Sequence, residues 1–508
     1  MRVLVLFLCL GVCVHGLIAA QESRTSLIPL PQSVEYGSGS FELPETLSVY
    51  IQDFDTETLE AAMLLEIPFI EKLQLVNKEE ARLHLIKSTS TSFLEAPERY
   101  SLLVTSRRIT IKSASATGVF YGMQTFRQLC AFAKASQRKA QPSQTPNGDS
   151  SSFVHSIPEI YIDDQPRYPW RGSMLDLARR FMDVAYIKKH IDRMSTYKLN
   201  RLHLHLTDDQ GWRIEMKNYP RLTSVGSKSA VGDGKEGFLT QEEYKELQQY
   251  ALQRGIMIIP EIDMPGHIYA ALRAYPELLN CEDTSNIDPK RALPPNPYRG
   301  MRVGWSKFCL ARPETYEFVE TVINELSAIT QGPYIHIGGD EIEDERYTEF
   351  IKRAERMVSN TGKTMIGWEE IAKAELEQET VVQLWRGDVT IQPAQPQIYS
   401  LCKHLYLDHA NYPGEARTNN WCKPDGVHLS DVYAMDLAEG KSILGIEAPL
   451  WTEFVDQGAK ADRMLWPRLI AVAERAWTPE QDCLFVEFRR RLNAQEIYFP
   501  LSLELSKE

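Results

Sequence analysis

The sequence predicts an α/β protein, a (β/α)8 TIM barrel preceded by a smaller α+β domain. After Trp170, eight strand-like runs alternate with amphipathic segments almost to the C-terminus, the pattern of a closed parallel barrel. No glycine-rich dinucleotide fingerprint or P-loop follows any of these runs, which argues against an open doubly wound sheet. Acids, His, Trp and Tyr also gather at the C-terminal ends of the predicted strands, the end at which such barrels keep their chemistry.

The elements before the barrel are organised differently. Residues 1–20 read as a secretory signal peptide: Arg2 carries the only charge, Val3–Val14 is apolar, and Ala19 and Ala20 offer small residues for cleavage before Gln21. The apolar stretch falls short of the roughly 20 residues a spanning helix needs. Residues 21–165 form the α+β domain. Its strand-like runs are Leu47–Ile51, Arg82–Ile86, Tyr100–Val104 and Ile109–Ile111, and Thr117–Ala131 is helical. Within it, residues 133–152 are rich in Ser, Gln, Lys and Pro and include Asn147-Gly148. Polar and without periodicity, they read as a flexible surface loop.

The barrel occupies residues 166–508. Its strands are expected at Gly172–Leu177, Arg201–Leu206, Ile256–Ile262, Tyr334–Ile337, Thr364–Trp368, Val381–Trp385, His404–Leu407 and Ser442–Ala448. Asp183 is a good N-cap for a helix that puts Ile187, Ile191 and Met194 on one face. Pro313 opens another, stacking Val319, Val322, Ile323 and Leu326. Gln241–Arg254 and Pro467–Trp477 follow the same period. No convincing helix precedes His404, so an irregular barrel is expected there.

Composition excludes more than it selects. Apolar content of 43%, charged content of 25% and a net charge of −13 suit a soluble globular enzyme. They disfavour nucleic acid and anionic membrane as partners. Self-association as a homodimer stays open. Without Cys9 and Cys13 of the signal, the cysteines are Cys130, Cys281, Cys309, Cys402, Cys422 and Cys483. No Cys-x-x-Cys pair occurs, so a zinc site or redox motif is not expected, and with no ligand cluster of suitable spacing neither a metal nor an organic cofactor is expected. Cys281 with Cys309, and Cys402 with Cys422, each bracket a loop-like stretch and are disulfide candidates for an exported protein. No Asn-x-Ser/Thr sequon is present, which fits a secreted or periplasmic location better than a lysosomal one reached through N-glycans.

The run Tyr334-Ile335-His336-Ile337-Gly338-Gly339-Asp340-Glu341 carries the sharpest signal. A short buried strand ends in two glycines, which allow close backbone approach, and then in adjacent carboxylates. Like charges that close resist ionising together, so one carboxyl can stay protonated near neutral pH. A proton donor beside an anion is equipment for breaking a glycosidic bond. The other strands end in Thr207-Asp208-Asp209, Glu261-Ile262-Asp263 followed by His267, Trp368-Glu369-Glu370, Trp385, Tyr406-Leu407-Asp408, and Glu447 running on to Trp451 and Glu453. Each group alone could be structural; together they describe a pocket for a pyranose.

This constellation resembles glycoside hydrolase family 20, the β-N-acetylhexosaminidases, over nearly the whole mature chain. The matching motifs are Ile28–Gln32, Pro166–Gly172, His203–Trp212, Glu261–His267, His336–Glu341 and Ala448–Glu453, in order. The resemblance implies an exo-acting, retaining hydrolase of terminal β-linked GlcNAc or GalNAc in which the substrate's acetamido group is the nucleophile. It makes Glu341 the general acid and base, Asp340 the partner of the acetamido N–H, and Tyr406 a donor to its carbonyl. Arg171 and Glu453 would grip the 3- and 4-hydroxyls, and Asp408 the outer hydroxyls. Trp368, Trp385 and Trp451 would wall the acetamido pocket, with His267 and Asp208 tuning the acid. Asp209, Glu261, Asp263 and Glu369 are expected to be structural or rim residues. Asn411–Asp436 follows the family only loosely, and Trp421 within it is a further candidate for stacking on sugar. Alternatives are a specialised relative cutting chitobiose or a β-1,6-GlcNAc polymer, and a catalytically silent sugar-binding protein.

Overall fold

The computed structural model describes residues 25–56, 59–137, 153–436 and 442–496. The signal-like segment and residues 138–152 of the polar loop lie outside the described residues. The first eight strands are β1 (Ser33–Glu42), β2 (Thr46–Gln52), β3 (Lys72–Leu75), β4 (Leu83–Lys87), β5 (Tyr100–Val104), β6 (Ile109–Ser113), β7 (Lys134–Gln137) and β8 (Phe153–Asp164). They form one mixed sheet in the order β1-β8-β5-β6-β4-β2-β3, with β7 added to β8. Alternate residues such as Leu83 and Leu85, or Ile109 and Ile111, point into a core completed by the helix Ala116–Ala131. Ser115 starts that helix by accepting the Gly118 N–H at 3.0 Å, which satisfies a donor the helix cannot.

The remaining strands close into a barrel: β9 (Trp170–Asp176), β10 (Arg201–His205), β11 (Met257–Glu261), β12 (Tyr334–His336), β13 (Thr364–Trp368), β14 (Val381–Leu384), β15 (Gln397–Tyr399) and β16 (Ile443–Leu450). All run parallel in chain order, and β16 returns to β9. The outer helices begin where their caps predict. Asp183 accepts the Tyr186 N–H at 3.0 Å, and Ile187, Ile191 and Met194 are buried. Pro313 opens Pro313–Ile329, while Gln241–Leu252 starts from a Thr240/Glu243 capping box.

Two sequence expectations need correction. The seventh strand is Gln397–Tyr399, not His404–Leu407. Three residues with only Ile398 fully buried, closely preceded by Pro393 and Pro396, leave almost no periodic signal. His404 and Leu405 instead sit in the short helix Cys402–Leu405, which still delivers Tyr406 to the strand's C-terminal side. As the weak pattern implied, residues 385–396 hold no helix.

The second correction concerns Arg171. It stands at the start of β9 and faces the N-terminal domain, away from the barrel mouth. All three guanidinium nitrogens are used: on Glu98 (3.0 and 2.8 Å), Tyr121 Oη (3.1 Å), and the carbonyls of Tyr168 (2.9 Å) and Lys198 (2.8 Å). Beside it, Lys198 Nζ bonds Asp164 (3.1 Å) and Tyr100 Oη (2.9 Å). These buried pairs join the N-terminal domain to the barrel floor.

Candidate active site

β12 is only three residues long, and the chain leaves it through Gly338 and Gly339 at φ +68° and +100°. A side chain at Gly338 would run into the Asp263 carboxylate, so the turn needs glycine for its space as well as its backbone. Glu341 follows at φ +57° and His267 sits at +54°. Such conformations are uncommon for residues with a Cβ and concentrate where geometry is held for function. His267 Nε2 lies 3.7 Å from both Asp340 Oδ2 and Glu341 Oε2, and its Nδ1 lies 3.6 Å from Asp208 Oδ2. Burial raises the Glu341 carboxyl above its ordinary pKa; Asp340 adds to that, while His267 and Arg386 oppose it. A carboxyl so placed can hold a proton for delivery.

The groups behind this dyad alternate in charge. Burial disfavours ionised Asp208, yet Arg179 and then His267 hold it well below the usual carboxylate range; Arg179 Nη2 sits 2.7 Å away. His205 bridges Asp208 (3.1 Å) and Glu261 (2.5 Å). Glu261 also accepts Trp368 Nε1 at 2.9 Å and contacts His203 (3.1 Å) and His336 (3.2 Å). His203, Glu261 and His336 are residue types that could ligate a metal and bring suitable atoms within 4.8 Å; His203 Nδ1 is taken by Glu447 (2.8 Å) and His336 Nδ1 accepts the Gly338 N–H (3.0 Å).

The opposite wall is aromatic. Trp368, Trp385, Tyr406 and Met174 form a buried cluster with Trp451 packed against it. Tyr406 stacks on Trp385 at 6.3 Å and 13°, and burial, with Asp340 next, raises its phenol pKa. It therefore stays a donor at neutral pH. Glu370 accepts Trp385 Nε1 at 3.0 Å. At the outer end Asn419 Nδ2 joins Asp408 (2.8 Å) to Glu453 (3.4 Å), and the Arg179 guanidinium lies 4.9 Å over Trp451. Burial pushes Glu453 up to about 7 against the pull of Arg179. A cleft of about 770 Å³ adjoins Glu341, lined among others by Asn286, Trp305, Lys307, Glu370 and Arg386.

The glycosyl hydrolase family 20 catalytic-domain model matches residues 168–349 and 345–480, and that family's domain 2 matches 24–165. The chain belongs to glycosyl hydrolase family 20. Among its relatives, a beta-hexosaminidase of Porphyromonas gingivalis is 32% identical over 94% of this chain and 63% of its own length; the chain thus spans less than two thirds of that relative. A beta-N-acetylhexosaminidase of Cellulomonas fimi is 34% identical, covering 78% of this chain and 77% of its own. The solved N-acetyl-beta-hexosaminidase of Streptomyces plicatus, in complex with Thio-NAglucal, matches with TM-score 0.81 and 33% identity over 94% of this chain and 95% of that one.

Within this family 20 chain Asp340, Glu341, Tyr406, Asp208, His267, Trp368, Trp385, Asp408, Trp451 and Glu453 come together at the mouth in one connected set of contacts. Arg171 is not among them. The arginine at the mouth is Arg179, in the loop after β9, ion-paired with Asp208 and Asp176 (3.6 Å). Its signal was available: it follows a predicted strand's C-terminal end, whereas Arg171 precedes one. Arg386 and Asn419 were also missed, both on loops without periodicity. Cys281–Cys309 and Cys402–Cys422 form disulfides. The second ties the helix before Tyr406 to the residue after Trp421, and Trp421 stands half-exposed, edge-to-face with Tyr406 at 5.8 Å between ring centres.

Proposed function

We propose that this chain removes terminal β-linked N-acetylhexosamine from glycans, with retention, the substrate's acetamido oxygen being the nucleophile. The observation that carries it is the placement of two adjacent carboxyls on one side of an aromatic cage. Retaining enzymes with a protein nucleophile set two carboxyls about 5–5.5 Å apart across the sugar; neighbours in one turn, sharing one histidine, suit a different division of labour. Glu341 gives its proton to the glycosidic oxygen as the C1–O bond breaks. The acetamido carbonyl oxygen closes on C1, and Asp340 holds the amide N–H and balances the oxazolinium charge. Tyr406 donates to the same carbonyl, and Trp368, Trp385 and Trp451 keep the methyl end in place. Glu341, now a carboxylate, takes a proton from water as that water opens the ring. Arg179, Asp408 and Glu453 hold the ring hydroxyls. Holding the internal nucleophile in line is a proximity effect worth up to several kcal/mol.

Two disulfides, with no helix among the described residues long and apolar enough to cross a membrane, support action outside the reducing cytosol after export. The test of mechanism is direct. Proton NMR should show β-GlcNAc as the first product of an aryl β-GlcNAc, and a thiazoline mimic of the cyclised intermediate should bind far more tightly than GlcNAc. Thiazoline binding no better than free GlcNAc would falsify substrate assistance. Ligand retention with no phenol released would make the chain a sugar-binding protein.

A further inference from the structure

Arg386 lies in the turn after β14, and that turn is held by a single buried carboxylate. Glu369 accepts the backbone N–H groups of Trp385 (2.9 Å), Arg386 (3.1 Å), Gly387 (2.9 Å) and Asp388 (3.0 Å). Four consecutive amides converging on one carboxylate fix the turn; Gly387 at φ +77° completes it. The guanidinium lies 3.9 Å over the Trp385 ring and 5.7 Å over Trp421. Its Nη2 reaches Glu341 Oε1 at 3.4 Å, on the side of the cleft away from His267.

We propose that Arg386 is a positioning residue for Glu341: it stabilises the carboxylate left when the proton goes to the departing oxygen, and so matters most for leaving groups that cannot depart unprotonated. The inference rests on the reading of Glu341 as the acid. The charged groups facing Glu341 are Asp340 beside it, His267 after β11, Arg179 after β9, Arg386 after β14, and Asp288, Lys307, Glu343, Glu370 and Lys373 around the cleft. Burial and Asp340 disfavour the ionised form, while His267, Arg386 and Arg179 favour it. His267 and Arg179 belong to the buried Asp208 column. Arg386 is half-exposed at the rim, so it can be replaced without disturbing that column. In the second half-reaction the same cation makes the carboxylate a weaker base, so its benefit is confined to bond cleavage.

The experiment uses the full chain as Arg386→Gln and Arg386→Lys, with kcat/KM measured against pH, because kcat/KM reports the first chemical step. Two substrates share the GlcNAc unit: a nitrophenyl β-glycoside, whose phenolate leaves unaided, and a methyl β-glycoside, whose alkoxide does not. Arg386→Gln should lose about tenfold on the methyl glycoside and little on the nitrophenyl one, since proton donation matters only for the poorer leaving group. Its alkaline limb should move up by about half to one pH unit, the size of one nearby screened charge. Arg386→Lys, keeping the charge, should restore most of both. Equal losses on both substrates with an unmoved limb would overturn the proposal, leaving Arg386 a structural prop for Trp385. A parent enzyme that cleaves neither glycoside would instead count against the reading of Glu341.

Discussion

The floor and the mouth of the barrel use the same residue types to opposite ends. At the floor, Arg171 and Lys198 are buried with each side-chain nitrogen engaged by a carboxylate, phenol or carbonyl. At the mouth, Arg179 Nε and Nη1, both His267 ring nitrogens, Asp340 Oδ1, Asp208's neighbour Asp209 through Oδ2, and Asp408 Oδ1 are buried without a hydrogen-bond partner among the described residues. Buried polar atoms are nearly always paired, and those left unpaired ask for an explanation. At the floor Arg201 Nε is likewise unpartnered among the described residues, but at the mouth such atoms gather on residues around Asp340 and Glu341. A completed network locks two domains together; an incomplete one waits for the hydroxyls and amide of a ligand. The same contrast separates stability at a barrel's N-terminal face from chemistry at its C-terminal face.

The sharpest way to break this comparison is to change one residue at each end. Glu341→Gln should cut kcat/KM on natural glycosides by about 10³-fold or more, the weight of a general acid, and leave the urea midpoint where it was. Arg171→Met should do the reverse. It strands the Glu98 carboxylate against a floor built for an ion pair, and breaking a buried pair costs about 3–5 kcal/mol. The urea midpoint should fall sharply, while kcat per folded molecule holds. An Arg171→Met protein of full stability and lost turnover would show that the two ends are not separate.

Arg179→Met tests the boundary between the two roles: it strands buried Asp208 as Arg171→Met strands Glu98, so the urea midpoint should fall too, while its effect on turnover should be smaller than that of Glu341→Gln. Its guanidinium pairs with Asp208 and faces the Glu453 end of the pocket. Losing charged hydrogen bonds to substrate costs about 1.5–3 kcal/mol, so kcat/KM should drop about 10- to 100-fold. The loss should sit mainly in KM, because such bonds hold ground state and transition state alike. A pure kcat loss would place Arg179 with the acid instead.

These residues also show what the chain reveals by itself. The Gly338-Gly339-Asp340-Glu341 turn was legible because glycine, a short strand and paired acids are each local signals. The helices were legible from caps such as Asp183 and Pro313. Arg171 misled because it sits in a family-like motif, Pro166–Gly172, and sequence alone does not say which end of a strand faces the pocket; register does, and it puts Arg171 beside Ile446 at the floor. The seventh strand was hidden because three residues carry no measurable alternation. Arg386 and Asn419 were hidden because loop positions are set by long-range bonds, such as those from Glu369 to the 385–388 turn, that leave no periodic trace.

Between floor and mouth lies a third buried set, and it yields the smallest predicted effect. His203 is clamped by Glu447 at 2.8 Å and Glu261 at 3.1 Å. Burial disfavours its cation, but Glu447 and then Glu261 push its pKa up to about 9. An unfolded histidine titrates near 6.5. A group whose folded pKa lies above its unfolded value gives its full stabilisation below the unfolded pKa and loses it as pH rises through the folded one. The urea midpoint of the parent should therefore be highest, as far as His203 sets it, below about pH 6.5 and decline towards pH 9 and beyond. His205, raised in the same sense by Glu261 and Asp208, contributes to that decline, so His203→Gln should flatten it only in part. On the proposed reading the alkaline limb of kcat/KM belongs to Glu341, and it should stay in place. If the parent's midpoint is level across this window, the barrel core holds its histidines neutral, and Glu261 and Glu447 must be carried by hydrogen bonds alone.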